Sequence, residues 1–83
     1  MLHEYAAHEP VEISPRFRRT IEERIERLER DAAFDEAYVA QLDNPDHIRR
    51  HLLLAASQRA EALRMRIFLD HTGTRLPRPL IVL

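Results

Sequence analysis

NPDHIRRHLLLAASQRAEALRMRIFLDH, Asn44 to His71, is the stretch on which the reading of this chain turns. Asn44 can cap a helix with its side-chain oxygen, and Pro45 suits the first helical position, where no N–H is needed. Gly73, just past the stretch, suits a left-handed stop. At 1.5 Å per residue such a helix runs roughly 40 Å. Turning each residue by about 100° places Ile48, Leu52, Ala56, Ala60, Leu63 and Ile67 on one stripe. Leu54, Ala62, Met65 and Leu69 form a second, on the order of 150° away. One stripe can face the chain's own core; the other needs a further surface. Arg49, Arg50, Arg59, Arg64 and Arg66 are spread around much of the same helix, and they could not all reach water from the centre of a monomer. The expected arrangement is a helix between its own hairpin partner and a second subunit, with Leu54, Ala62, Met65 and Leu69 as the oligomer interface.

Working back toward the N-terminus, Ser14-Pro15 repeats the cap-then-proline mark. From there Phe17, Ile21, Ile25, Leu28 and Ala32 fall within about 80° on a helical wheel, a narrow seam of the kind that packs in a helical hairpin or coiled coil. Most other positions are charged, and Arg18/Glu22, Arg19/Glu23, Glu23/Arg27 and Glu26/Arg30 stand four apart, as a self-paired solvated surface would have them. After Ala33 the apolar positions shift to Phe34, Tyr38 and Leu42. This predicts a fresh short helix capped by Asp35, with Phe34 and Val39 clamping its entry; one kinked helix from Pro15 to Leu42 is the alternative. Val11-Glu12-Ile13 alternates as a short strand, and Leu80 to Leu83 is its expected mate. In TRLPRPLIVL, Pro77 and Pro79 forbid helix, and the apolar LIVL end is expected to dock on this chain or another.

The fold expected is therefore all-α: a helical hairpin or three-helix arrangement, about 15–33, 35–42 and 45–71, in an oligomeric bundle. It forms one domain over 1–83, with a tail at 1–13, a helical core at 14–72 and a Pro-containing tail at 73–83. Chains of 83 residues have thin cores, and oligomerisation is a natural remedy.

Composition narrows the chemistry. There is no cysteine, all thirteen cations are arginines, and a single glycine leaves no phosphate-cradling loop. Thiolate, Schiff-base and phosphate-loop-lysine chemistry are thereby excluded. The remaining catalytic groups are histidines with carboxylates; Ser14 reads as a cap and Ser57 as a helix-interior residue, so the reading is non-enzymatic. An enzyme with a site shared between subunits stays open.

Asp43, His47 and His51 recur every four residues, a way to hold a divalent transition metal, but Ile48 and Arg49 follow His47 where a zinc protease needs glutamate. A further ligand would have to come from His3, His8 or a symmetry mate. No cofactor is expected otherwise.

A net charge of −1 gives no overall pull toward nucleic acid or anionic membrane. Local patches are another matter. Arg16, Arg18 and Arg19 crowd a helix start, where the dipole favours anions, and Arg49 and Arg50 crowd another. The first three, with the free N–H groups there, could hold a phosphate or a partner's carboxylate, the alternative being that Glu9, Glu12, Glu22 and Glu23 neutralise them; if both sets converge they make a nucleic-acid-binding face. No apolar run approaches the ~18 residues of a spanning segment, and no signal core stands at the N-terminus, so a cytoplasmic protein without membrane contact is expected. Its expected partners are itself and another protein, with nucleic acid as the alternative.

Overall fold

The computed structural model describes residues 11–74. It contains a short strand β1 (Val11–Ile13), a helix α1 (Pro15–Tyr38), a single 3₁₀ turn (Val39–Gln41), a second helix α2 (Pro45–Asp70) and a closing strand β2 (Thr72–Thr74). The two helices pack against each other along most of their length as a helical hairpin.

Local chemistry fixes both helix starts. Ser14 is extended, and its hydroxyl oxygen accepts from the Phe17 N–H at 3.1 Å. Asn44 Oδ1 accepts from the N–H groups of Asp46 and His47 at 2.8 and 3.3 Å. Pro15 and Pro45 follow as first helical residues. These caps satisfy N–H groups that have no partner inside the helix.

The helix does not break at Phe34. No Gly or Pro interrupts α1, and Asp35 is an interior residue rather than a cap. Continuation keeps Ala32, Asp35 and Val39 on the side facing α2, in the same three-four spacing as Ile21, Ile25 and Leu28. The line Phe34–Tyr38–Leu42 does not define a new core face, because Phe34 is 70% exposed. Its ring stacks instead on Tyr38, with centroids 6.1 Å apart. Of the two expectations, a break at Phe34 or one helix from Pro15 toward Leu42, the chain follows the second as far as Tyr38, and it reverses through the 3₁₀ turn and residues 42–44.

Helices of 24 and 26 residues, about 36 and 39 Å long, return the chain to the end at which it entered. This brings β1 beside β2 as a parallel pair, with Val11 opposite Thr72, Glu12 opposite Gly73 and Ile13 opposite Thr74. Parallel strands need a long crossover, and here the whole hairpin supplies it. The mate of β1 is thus Thr72–Thr74 and not Leu80–Leu83, which lies outside the described residues. Gly73 has no positive φ, so it is a strand residue and not a left-handed stop. The end of α2 is closed otherwise: the His71 N–H reaches the Ile67 and Phe68 carbonyls, and the Thr72 hydroxyl donates to the Leu69 carbonyl at 3.0 Å.

The core sits at this open end. Ile13 from β1, Ile25 from α1, and Ala62 and Leu69 from α2 are buried together, with Ile21, Leu28 and Met65 packed around them. Toward the loop the seam narrows to Ala32 and Ala55, both buried, and then turns polar at Asp35 and His51.

Candidate interaction face

Two seams run along α2. The inner one, Ile48, His51, Ala55, Gln58, Ala62, Met65 and Leu69, is buried or half-buried at every position. Its steps of three and four residues are those of a helix packed lengthwise on another. The outer one, Leu53, Ala56, Ala60, Leu63 and Ile67, has the same steps and is exposed throughout. Leu53 is 64% exposed and Leu63 56%, and Leu52 flanks them at 46%.

The expected assignment of the stripes is therefore corrected. Ala62, Met65 and Leu69 lie inside the hairpin against α1, so they are intramolecular core. Leu54 alone of that set is exposed, at 49%. Charge and side-chain size select the inner stripe. Arg59 and Arg66, on the inner flank of α2, each make two hydrogen bonds to a glutamate of α1, Glu36 and Glu29 respectively. Glu36 stands seven residues beyond Glu29, and Arg59 seven before Arg66, so the pairs repeat one heptad apart in an antiparallel register. On the other flank Arg24 donates to Glu61 at 3.0 Å. Ala55 and Ala62 on α2 and Ala32 on α1 let the two backbones approach closely. Of the expected pairs along α1, Arg18–Glu22 is the one formed among the described residues. Four charged residues of α1, Arg24, Glu29, Asp35 and Glu36, pair instead with side chains of α2.

These ion pairs shape the local acidity. The Arg66 hydrogen bond, aided by its charge, holds the Glu29 carboxyl below the usual glutamate range, and Arg59 does the same to Glu36. Both guanidiniums are correspondingly pushed up.

The arginine clusters do not converge. Arg18 lies at the open end, beside Leu69 and Asp70 across a hollow of about 490 Å³. Arg49 and Arg50 sit in the first turns of α2, about 30 Å away along the helix axis. Arg18 is paired with Glu22 and Arg49 with Asp46, at 3.4 and 2.5 Å. Arg16 and Arg19 share the open end with Arg18, so the five residues form two separated groups and not one phosphate-binding face.

Asp43, His47 and His51 do not come together either. The His51 ring turns onto α1, with Nδ1 3.1 Å from Asp35 Oδ1 and the Tyr38 ring edge-on at 5.2 Å between centroids. Among the described residues no group of three His, Asp or Glu side chains is gathered to hold a metal. His3 and His8 lie outside the described residues.

A second apolar feature is a shallow groove of about 440 Å³ at the open end, lined by Phe17, Ile21, Glu61, Arg64, Met65 and Phe68. Phe17, expected in the seam, is instead 49% exposed at this rim. No described helix is long and apolar enough to cross a membrane.

The residue that the sequence reading passed over is Leu53. The run Leu52-Leu53-Leu54 carries no phase of its own, and only the three-four spacing onward to Ile67 marks Leu53 as the start of the outer seam.

Comparison with known proteins adds no relative: no family model, no curated protein and no solved structure matches this chain.

Proposed function

We propose that this chain is a non-enzymatic, self-associating helical module that acts through macromolecular binding, as a regulator, adaptor or small subunit of a cytoplasmic complex. The observation that carries this reading is the outer seam of α2, an exposed apolar stripe with the spacing of a helix-packing surface. Isolated apolar residues are ordinary on a protein surface, but a continuous stripe with that periodicity marks a contact. The distribution of apolar side chains supports it. Beside Ile48, Met65 and Leu69 the inner seam takes up two alanines, a glutamine and a histidine, while Leu53, Leu63 and Ile67 remain outside. A chain folding only for itself would gain more by turning the leucines inward, at about 25 cal/mol per Å² removed from water.

The thin core points the same way. Of the described large apolar side chains only Ile13, Ile25 and Leu69 are buried, and none is completely enclosed. Catalysis would need convergent polar groups, whereas His51 is held by Asp35 and Tyr38, and Arg24, Arg59 and Arg66 by carboxylates across the hairpin.

Light scattering of the full chain over a hundredfold concentration range tests the reading. The expected mass is at least twice that of one chain. Leu63→Glu, at an exposed position, should return it to a single chain with the helical circular dichroism retained. A wild-type chain that stays single at every concentration would overturn self-association.

A further inference from the structure

Resting on the self-association just proposed, we infer that the occupant of the outer seam is the same seam of a second copy, running antiparallel. The stripe is complementary to itself when reversed, which is what a two-fold contact requires. With the copies offset so that Ala60 of one meets Leu63 of the other, Ala56 meets Ile67, and both relations hold in each direction. Every central layer then sets a small side chain against a large one, which fills the space evenly and lets the helices approach closely. A parallel, in-register pair would stack alanine on alanine in two layers and Leu63 and Ile67 on themselves in the next two, alternating gaps with crowding.

Charge selects the same direction. Arg49 continues the outer stripe at its N-terminal end and Asp70 at its C-terminal end. In the register that sets Ala60 against Leu63 and Ala56 against Ile67, Asp70 of each copy falls beside Leu53 of the other, about one helical turn from Arg49 and within reach of its side chain; a parallel pair would put arginine on arginine and aspartate on aspartate. One flank agrees. Arg64 would lie against Ser57 of the second copy in the antiparallel pair, and against Arg59 in the parallel one. On the opposite flank reversal brings Arg59 of each copy near Arg66 of the other, a like-charge approach that their pairing with Glu36 and Glu29 offsets. The resulting dimer sets α2 between its own α1 and the second copy's α2, nearly in one layer, with Phe34 and the Phe17–Phe68 groove left outside the contact.

The absence of cysteine makes the test direct, because every disulfide must come from an introduced thiol. Ala56→Cys and Ile67→Cys chains, one carrying a mass tag, are mixed, equilibrated and oxidised mildly. Ala60→Cys with Leu63→Cys serves as the second pair, so that a disturbance at one layer does not decide the result. The expected outcome is a mixed disulfide in each pair, at least tenfold over disulfides formed by either variant alone. Disulfides within the Ala56→Cys or Ile67→Cys population alone would show a parallel pair and overturn the inference while leaving self-association standing. Dimers by light scattering with no disulfide at either layer would place the contact on another face and overturn it equally. Single chains throughout would overturn both this inference and the reading it rests on.

Discussion

The guanidinium of Arg59 grips the carboxylate of Glu36 at both oxygens, Nε to Oε2 at 2.8 Å and Nη2 to Oε1 at 2.6 Å. One heptad away Arg66 does the same to Glu29, at 3.0 and 2.7 Å. Two planar forks one heptad apart fix how far α2 slides along α1, since a slip of one residue misaligns both at once. The two ion pairs thus reinforce the register of the hairpin near its middle, where the apolar seam narrows to Ala32, Ala55 and Ala62.

That arrangement has a pH signature. Glu29 and Glu36 titrate lower in the folded chain than in the unfolded one, first through the arginine hydrogen bonds and then through the arginine charges. Their contribution to stability is therefore fully present above the ordinary glutamate value of about 4.3, and is lost as pH falls through the lowered folded values. Denaturant midpoints measured from pH 7 down to pH 2 should decline below about pH 5. The Glu29→Gln, Glu36→Gln double variant should decline less steeply over that range. Because both pairs face solvent the difference is modest and shrinks in high salt. An acid limb identical in the two proteins would disconnect these pairs from stability.

The helix starts give a second prediction. Asn44 Oδ1 receives two backbone N–H groups and Ser14 Oγ one, so Asn44→Ala should cost more than Ser14→Ala. Each loss should be about 1 kcal/mol, within the usual range for caps. In a domain of this size that corresponds to a fall in Tm of roughly 4–8 °C per kcal/mol. Both must be measured at one protein concentration, because association shifts Tm by mass action. Negligible losses would mean that the caps do not hold the helices, and equal ones that the second N–H on Asn44 adds nothing.

What could be read from the sequence followed the range of the interactions. The caps at Ser14 and Asn44 and the proline after each are decided within four residues, and both helix starts are where those residues place them. The end of α1 was not legible, because Phe34 and Tyr38 look like a core line until Asp35 is seen against His51 on the other helix. The partner of β1 depends on two helices of nearly equal length returning the chain to one end, and no local pattern in Thr72-Gly73-Thr74 encodes that. The inward stripe of α2 was misread for a related reason. Both stripes are apolar, and the choice rests on Glu29 and Glu36, which are distant in sequence from the arginines they hold. Spacing along one helix also does not reveal that the two arginine groups stand far apart along the hairpin, or that the His51 ring turns onto Asp35 and away from Asp43 and His47.

Gly73 offers a third test. A glycine in a left-handed stop would be damaged by any side chain, but this one sits in β2 without a positive φ. A methyl group added there would meet Glu12 Cγ at 3.6 Å, an ordinary contact distance. Gly73→Ala should therefore leave the fold intact and raise stability by about 0.4–1 kcal/mol, through the reduced freedom of the unfolded chain. Thermal unfolding decides it: a clear drop in Tm would mean that the backbone at this position is left-handed after all.

Gln58 is the least expected member of the inner seam. It stands between Ala55 and Ala62, and its Oε1 is buried with no hydrogen-bond partner among the described residues. A buried acceptor left unpaired costs about 1–3 kcal/mol, so Gln58→Leu should stabilise the hairpin, by about 1 kcal/mol or more where the leucine fits beside the alanines. A polar group in a helical seam can also restrict register and partner choice at the expense of stability. The two effects separate experimentally. If Gln58 is only a defect, the leucine variant should melt higher with an unchanged mass by light scattering; if it also excludes wrong pairings, the variant should melt higher and populate larger species. A variant that melts lower than the wild type would show that the amide does find a partner, and that the seam needs it there.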